Sequence, residues 1–248
     1  MNRLTLYTSP LIEAITFVDF QSPQPMDIKA IKAFAASNFG KEFVLREFKR
    51  RKVVLVKGDK KPKIEVEDVG IILTSPKKKI GLFRNRYIYA IKGMGLSWES
   101  YINDALDLFA KYKDFVSIRA ILAFSVRNRN LIELPDGVGD FADIVRHTPW
   151  EHKDLGDSVC LKMNYRDSRY YTKRNVYATV EQNYSGGFGS KYRGILLDIK
   201  TTKLFSVQEK VKTITKRMLD DIRETKDLLF VSSLTASKLQ TYKNEQDK

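Results

Sequence analysis

The chain has one cysteine, two histidines and two tryptophans in 248 residues. No apolar run approaches the ~18–20 residues that cross a bilayer as a helix. A lone Cys160 excludes an internal disulfide and fits a reducing compartment. His147 and His152 flank Pro149, and their spacing puts them together on neither a helix face nor a strand face, so they do not meet the ligand spacing of a zinc site. No GxSxG nucleophile turn occurs, no pair of carboxylates is set for acid–base work, and the glycines follow neither the Walker pattern nor GxGxxG leading into a helix. The opening MNRLTLYTSPLIEA lacks a charged-then-apolar leader. These absences set the expectation of a cytoplasmic protein without membrane insertion, without metal or cofactor, that binds and does not catalyse.

What the chain has in excess is positive charge. Lys and Arg number 44 against 30 Asp and Glu, a formal net charge of +14, while a hydrophobic fraction of 43% is enough for a packed core. A field of that sign attracts polyanions, and nucleic acid is the leading partner class.

Periodicity supplies the scaffold. Val116–Pro135 (VSIRAILAFSVRNRNLIELP) alternates, with Ile118, Ala120, Leu122, Phe124, Val126, Ile132 and Leu134 on one side and Arg119, Ser125, Arg127, Arg129 and Glu133 on the other. Ile12–Phe20 reads as an earlier strand. A helix capped by Asp27 follows, then strands at Phe43–Phe48, Val53–Lys57, Val69–Thr74 and Ile80–Ile91, then a helix capped by Ser97. The second half repeats the order: strands at Ser158–Arg166, Tyr170–Tyr184 and Ile195–Ile199, a long helix opened by the Ser206/Glu209 capping box, and a short one capped by Thr235. The fold class expected is α+β, two similar halves covering 1–115 and 116–248, each an antiparallel sheet with helices on one face.

If helices back each sheet, the other alternation set lines the open faces. In the second half that set is Arg119, Arg127 and Arg129 with Lys162 and Arg166, and Lys173 and Arg174 lie beside it. Arg84 and Arg86, with Arg50 and Arg51, come from the first half. The glycine-rich corner Ser185–Gly194 adds Lys191 and Arg193 behind glycines whose backbone amides can approach an anion. Cations interleaved with tyrosines suit phosphate contact with base stacking, on DNA or RNA. Two competing readings stand beside this one. The first is a metal-independent RNA-cleaving enzyme using His147 or His152 with Tyr171 or Lys173. The second is a scaffold or antitoxin-like partner whose basic face meets an acidic protein.

Several short motifs, in order along the whole chain, resemble a sporadically distributed prokaryotic family of about this length: the Pro-x-x-Glu-Ala start in SPLIEAITFVDF, an Arg/Asn-rich mid-chain strand in SVRNRNLIELP, a late Leu-Leu-Asp strand in GILLDIK, and a terminal FVSSLT. The tyrosine of that mid-chain motif is missing, since Val126 runs directly into Arg127. The resemblance implies a place in antiviral defence regions and transfers no catalytic residue. Short prokaryotic Argonautes lack the strand-rich half that helps enclose guide and target, so one expectation is an accessory subunit, a heterodimer partner of such an Argonaute.

Overall fold

Strand β1 (Leu11–Gln21) has apolar residues on both of its alternation sets, one set buried and the other half-buried. A computed structural model describes residues 10–23, 26–54, 63–93, 97–134, 144–146, 162–185, 194–209 and 211–242, and places β1 in the middle of a nine-stranded sheet. After β1 come helix α1 (Ile28–Asn38), β2 (Val44–Val54), β3 (Lys63–Thr74), β4 (Lys78–Phe83), β5 (Arg86–Lys92) and α2 (Trp98–Val116). Then follow β6 (Ala120–Glu133), β7 (Lys162–Tyr171), β8 (Val176–Ser185), β9 (Gly194–Leu204), α3 (Lys216–Ser233) and α4 (Ala236–Thr241). The strand order is β2-β3-β4-β5-β1-β6-β9-β8-β7, antiparallel at every pair.

This corrects the expected fold class. The chain does not form two similar halves with a sheet each. β1 pairs with β5 on one edge and with β6 on the other, so the strands before and after residue 115 share one continuous sheet. The reason is in β6, whose two edges are both taken, one by β1 and the other by β9.

Helices α1, α2 and α3 lie on one side. Asp27 caps α1 and Ser97 caps α2 by accepting from backbone N–H groups in the first turn. Over β1 and β5, α2 presents Tyr101, Ile102, Ala105, Phe109 and Tyr112 to Val18, Phe20, Tyr87 and Tyr89, and Phe34 of α1 stacks on Phe115 at 4.6 Å between ring centroids. The phenols buried here find partners: Tyr112 donates to Phe83 O at 2.9 Å, Tyr87 to Ala105 O at 3.1 Å, and Tyr101 bonds Thr16. Burial pushes the Tyr101 and Tyr112 hydroxyls well above the usual phenol range, so they stay protonated. Over β8 and β9, α3 and α4 cover a second cluster built on Val180, Ile195, Leu197, Ile199, Phe230 and Leu234.

Several local details differ from the sequence reading: β2 runs unbroken over Val44–Val54 where two strands were expected, the strand expected at Ile80–Ile91 is split into β4 and β5, and β7 continues through Tyr171 to a 3-10 turn that divides Tyr170–Tyr184. The Ser206/Glu209 box forms, with Glu209 N–H donating to Ser206 Oγ at 3.3 Å, but it closes a single 3-10 turn, and α3 starts later on its own cap, Thr215. Residues Val116–Arg119 belong to the end of α2 and its exit, where Ser117 adopts a left-handed conformation (φ 52°) usually given to glycine.

Candidate nucleic-acid interface

The face opposite the helices is built by the other alternation set. Across β5, β1, β6 and β9 the register aligns Lys92, Glu13, Arg129 and Asp198 in one row, Ala90, Ile15, Arg127 and Lys200 in the next, then Ile88, Phe17, Ser125 and Thr202. Between the pairs Asp19–Ala123 and Phe20–Ile121, β6 carries an extra residue, Leu122, and this bulge lets Ile121 and Phe124 both point to the core and turns Leu122 to the open side.

At the centre, two arginines are clamped from below. Arg127 donates to Asp198 from Nε at 2.8 Å and from Nη2 at 2.5 Å, and Arg129 donates from Nη1 to Glu13 at 2.9 Å with its Nε 3.7 Å from Asp198. The Asp198 side chain is only 5% exposed, whereas both guanidinium side chains are 37% exposed. Buried carboxylates therefore hold half-exposed cations in fixed orientation, with Nη1 of Arg127 and Nη2 of Arg129 outside these bonds. The bond to Asp198 raises the Arg127 pKa further.

Farther out, arginines pair with carboxylates that are themselves partly exposed. Arg86 grips Asp19 and Arg166 lies 3.4 Å from Glu181. At the far side Arg50 and Arg84 both reach Glu67, at 3.1 and 2.7 Å. Among the described residues Arg46, Lys79, Lys92 and Lys200 form no ion pair. Lys200 sits over the Phe17 ring at 5.3 Å, and its pKa is lowered by burial and then by the nearby Arg86 and Arg127 cations.

Between β2 and β6 the face dips into a trough of about 1170 Å³. Ile15, Phe17, Ile72, Phe83 and Ile88 floor it, Phe48 walls it, and Arg50, Lys79, Arg84, Arg86 and Arg129 ring it together with Glu13, Asp19 and Glu67. Phe83 lies flat because Gly70 and Gly81 have no side chain under it; a Cβ on Gly70 would stand 2.4 Å from the ring and 2.6 Å from the Leu82 carbonyl oxygen. Toward the other edge Tyr170 and Tyr177, each 46% exposed, stack at 4.5 Å on adjacent strands.

Of the residues singled out from sequence, Arg50, Arg86, Arg127, Arg129 and Arg166 come to this face, and Arg84 joins its rim from the β4–β5 turn. Arg51 falls on the alternate side of β2, opposite Val66. Arg119 precedes β6, and its backbone N–H donates to Gln21 O at 2.7 Å. Lys173 and Arg174 lie in the 3-10 turn Thr172–Arg174, where Arg174 turns to Glu224 of α3 at 3.1 Å and so leaves the open face. Lys162 opens β7, and its side chain is outside the described residues, as are Lys191, Arg193, most of the glycine-rich corner, His147 and His152. Tyr171 alternates to the helix side of β7, away from Tyr170.

Phe17, Phe48 and Phe83 and the clamping carboxylates were not singled out from sequence. The signal for Phe17 was present, since β1 is apolar on both alternation sets; the carboxylate partners depend on strand neighbours far apart in the chain. Among the described residues no group of three His, Cys, Asp or Glu is placed to hold a metal, and no helix is long and apolar enough to cross a membrane. No family model matches the chain, and no curated protein matches it. The molecule is thus defined by its own architecture: one antiparallel sheet, helices behind, and a charged and aromatic face left open.

Proposed function

We propose that the open face is a non-catalytic platform for nucleic acid, gripping backbone phosphates with its arginines and taking exposed bases on its aromatic side chains. The observation that carries this reading is the set of arginines held by buried carboxylates beside Phe17, Phe83 and the Tyr170–Tyr177 pair. Carboxylates neutralise part of the face, so attraction comes from the cations in excess and from the guanidinium N–H groups outside the clamping bonds. Bases stacked on aromatics favour single strands, in which the ring faces are free.

On this reading the protein serves a prokaryotic defence complex as an accessory subunit, and a short Argonaute is the companion to test by co-purification with guide and target present. The reading itself is tested with labelled single-stranded oligonucleotides over a salt series. Affinity falls with a slope of about −0.7 per phosphate contacted, and Arg127→Ala with Arg129→Ala flattens that slope. A slope indistinguishable from zero ends the proposal. Chelator-resistant cleavage of RNA that disappears in His147→Ala or His152→Ala would instead favour the enzyme.

A further inference from the structure

The strand register draws an unbroken line over the open face. From Tyr170 on β7, directly opposed pairs run through Tyr177, Thr202, Ser125 and Phe17 to Ile88 on β5. On β4 the line reaches Gly81, and the Phe83 ring covers it: a Cβ there would stand 2.5 Å from the ring edge. Directly opposed residues of an antiparallel pair share a face. The exposed Tyr170–Tyr177 stack, Phe17 and Phe83 are therefore aromatic stations on one row that crosses the strands.

Two residues along each strand, ~6.8 Å away, runs a parallel row that carries Lys200, Arg127 and Lys79 and no carboxylate. Lys79 and Lys200 form no ion pair among the described residues, and Arg127 keeps Nη1 outside its bonds to Asp198. The rows to either side cancel. Beyond the cations, Glu181, Asp198 and Glu13 are matched by Arg166, Arg129 and Lys92. On the other flank of the aromatic row, both oxygens of Asp19 engage Arg86. Anionic groups are thus drawn to one side of the aromatic row.

We infer that an unpaired nucleic-acid strand lies across the sheet, perpendicular to the β-strands, with its bases on the aromatic row and its phosphates along Lys200, Arg127 and Lys79. This rests on the proposed function and specifies its ligand. Lys200 lies 5.3 Å from the Phe17 ring centroid, so a phosphate that draws the ammonium aside uncovers the ring for a base. From Tyr177 on β8 to the Phe83 ring over β4 the track spans five strand spacings of ~4.8 Å, or ~24 Å. At ~3.4 Å per stacked nucleotide that is about seven nucleotides. A duplex hides its base faces and cannot use the row.

Fluorescence anisotropy with oligothymidylates from dinucleotide to dodecamer, and with a hairpin duplex, tests the length. Affinity climbs to about seven nucleotides and then levels off, and three phosphate contacts give a salt slope of about −2. Lys79→Ala, at the end of the track away from the tyrosines, makes the heptamer slope shallower by about 0.7. The direction is read on the wild-type chain with a heptamer that carries a photoreactive thiothymidine at one terminus or the other. One terminus crosslinks to β7 and β8, and the opposite terminus to β3 and β4. Crosslinks from both termini to the same end of the sheet, affinity that levels off at the dinucleotide or still climbs at the dodecamer, or a duplex bound as tightly as the heptamer would overturn the track while leaving nucleic-acid binding in place. A salt slope of zero would remove both.

Discussion

Asp198→Asn separates what the carboxylate clamps do for stability from what they do for binding. The change removes a nearly buried charge that accepts from Arg127 and lies beside Arg129. Removing one partner of a fully buried pair costs about 3–5 kcal/mol. Here both arginines are partly in water, which takes over some of the lost attraction, so the cost falls to about 1–3 kcal/mol. For a chain of this size, about 2 kcal/mol lowers the thermal midpoint by roughly 4–8 °C. Binding moves the opposite way: Arg127 loses its counter-charge while Arg129 keeps Glu13, low-salt affinity for a single-stranded oligonucleotide increases, and the salt slope steepens by about 0.7 for each further phosphate engaged. The double variant Asp198→Leu/Arg127→Met replaces the pair with apolar side chains and recovers much of the stability, yet it loses affinity. Denaturant melts and fluorescence anisotropy read the two effects. Stability within about 0.5 kcal/mol of wild type together with an unchanged salt slope for Asp198→Asn would refute the idea that buried carboxylates hold these arginines for a ligand.

Other outcomes follow from the same geometry. Lys200 has a lowered pKa in the free protein, and an anion bound beside it favours the charged form and raises that pKa. Binding therefore takes up a proton, affinity decreases as pH rises from the free-state pKa through the bound-state one, and Lys200→Arg abolishes this dependence in anisotropy measured across the alkaline range. Tyr170→Ala removes one ring of the exposed stack and weakens oligonucleotide binding by about 1–3 kcal/mol without a comparable loss in melting temperature, which parallel melts establish. Gly70→Ala drives a methyl group into Phe83 and the Leu82 carbonyl, destabilising the fold by about 1–3 kcal/mol in urea titration.

The legible part of the fold was local. Caps at Asp27, Ser97 and Thr235 sit where Ser, Thr and Asp precede an apolar period, and each accepts the expected backbone N–H. Alternation separated Arg127 and Arg129 from Phe124 and Val126 correctly, because a strand's period of two needs no knowledge of its neighbours. It went astray where local rules compete. The bulge near Leu122 shifts the phase, and Ser117 ends α2 in a conformation that sequence assigns to glycine. Strand partners were illegible, because the pairing of β1 with β6 joins residues over a hundred positions apart and no turn specifies it. The clamps were hidden for that reason: Arg129 meets Glu13, and Arg127 meets Asp198, only through pairings that the tertiary fold decides.

The central position of β1 also bears on how the protein is born. Its first described strand emerges from the ribosome early, meets β5 only after the intervening hairpins are made, and waits longer still for Ala120–Glu133 to cover its remaining edge. Throughout that interval a nascent chain carries an apolar strand with one bare side, a template for stray pairing that trigger-type chaperones exist to shield. Slow synthesis through the stretch between β1 and β6 lengthens the exposure of a strand edge that the finished sheet pairs on both sides.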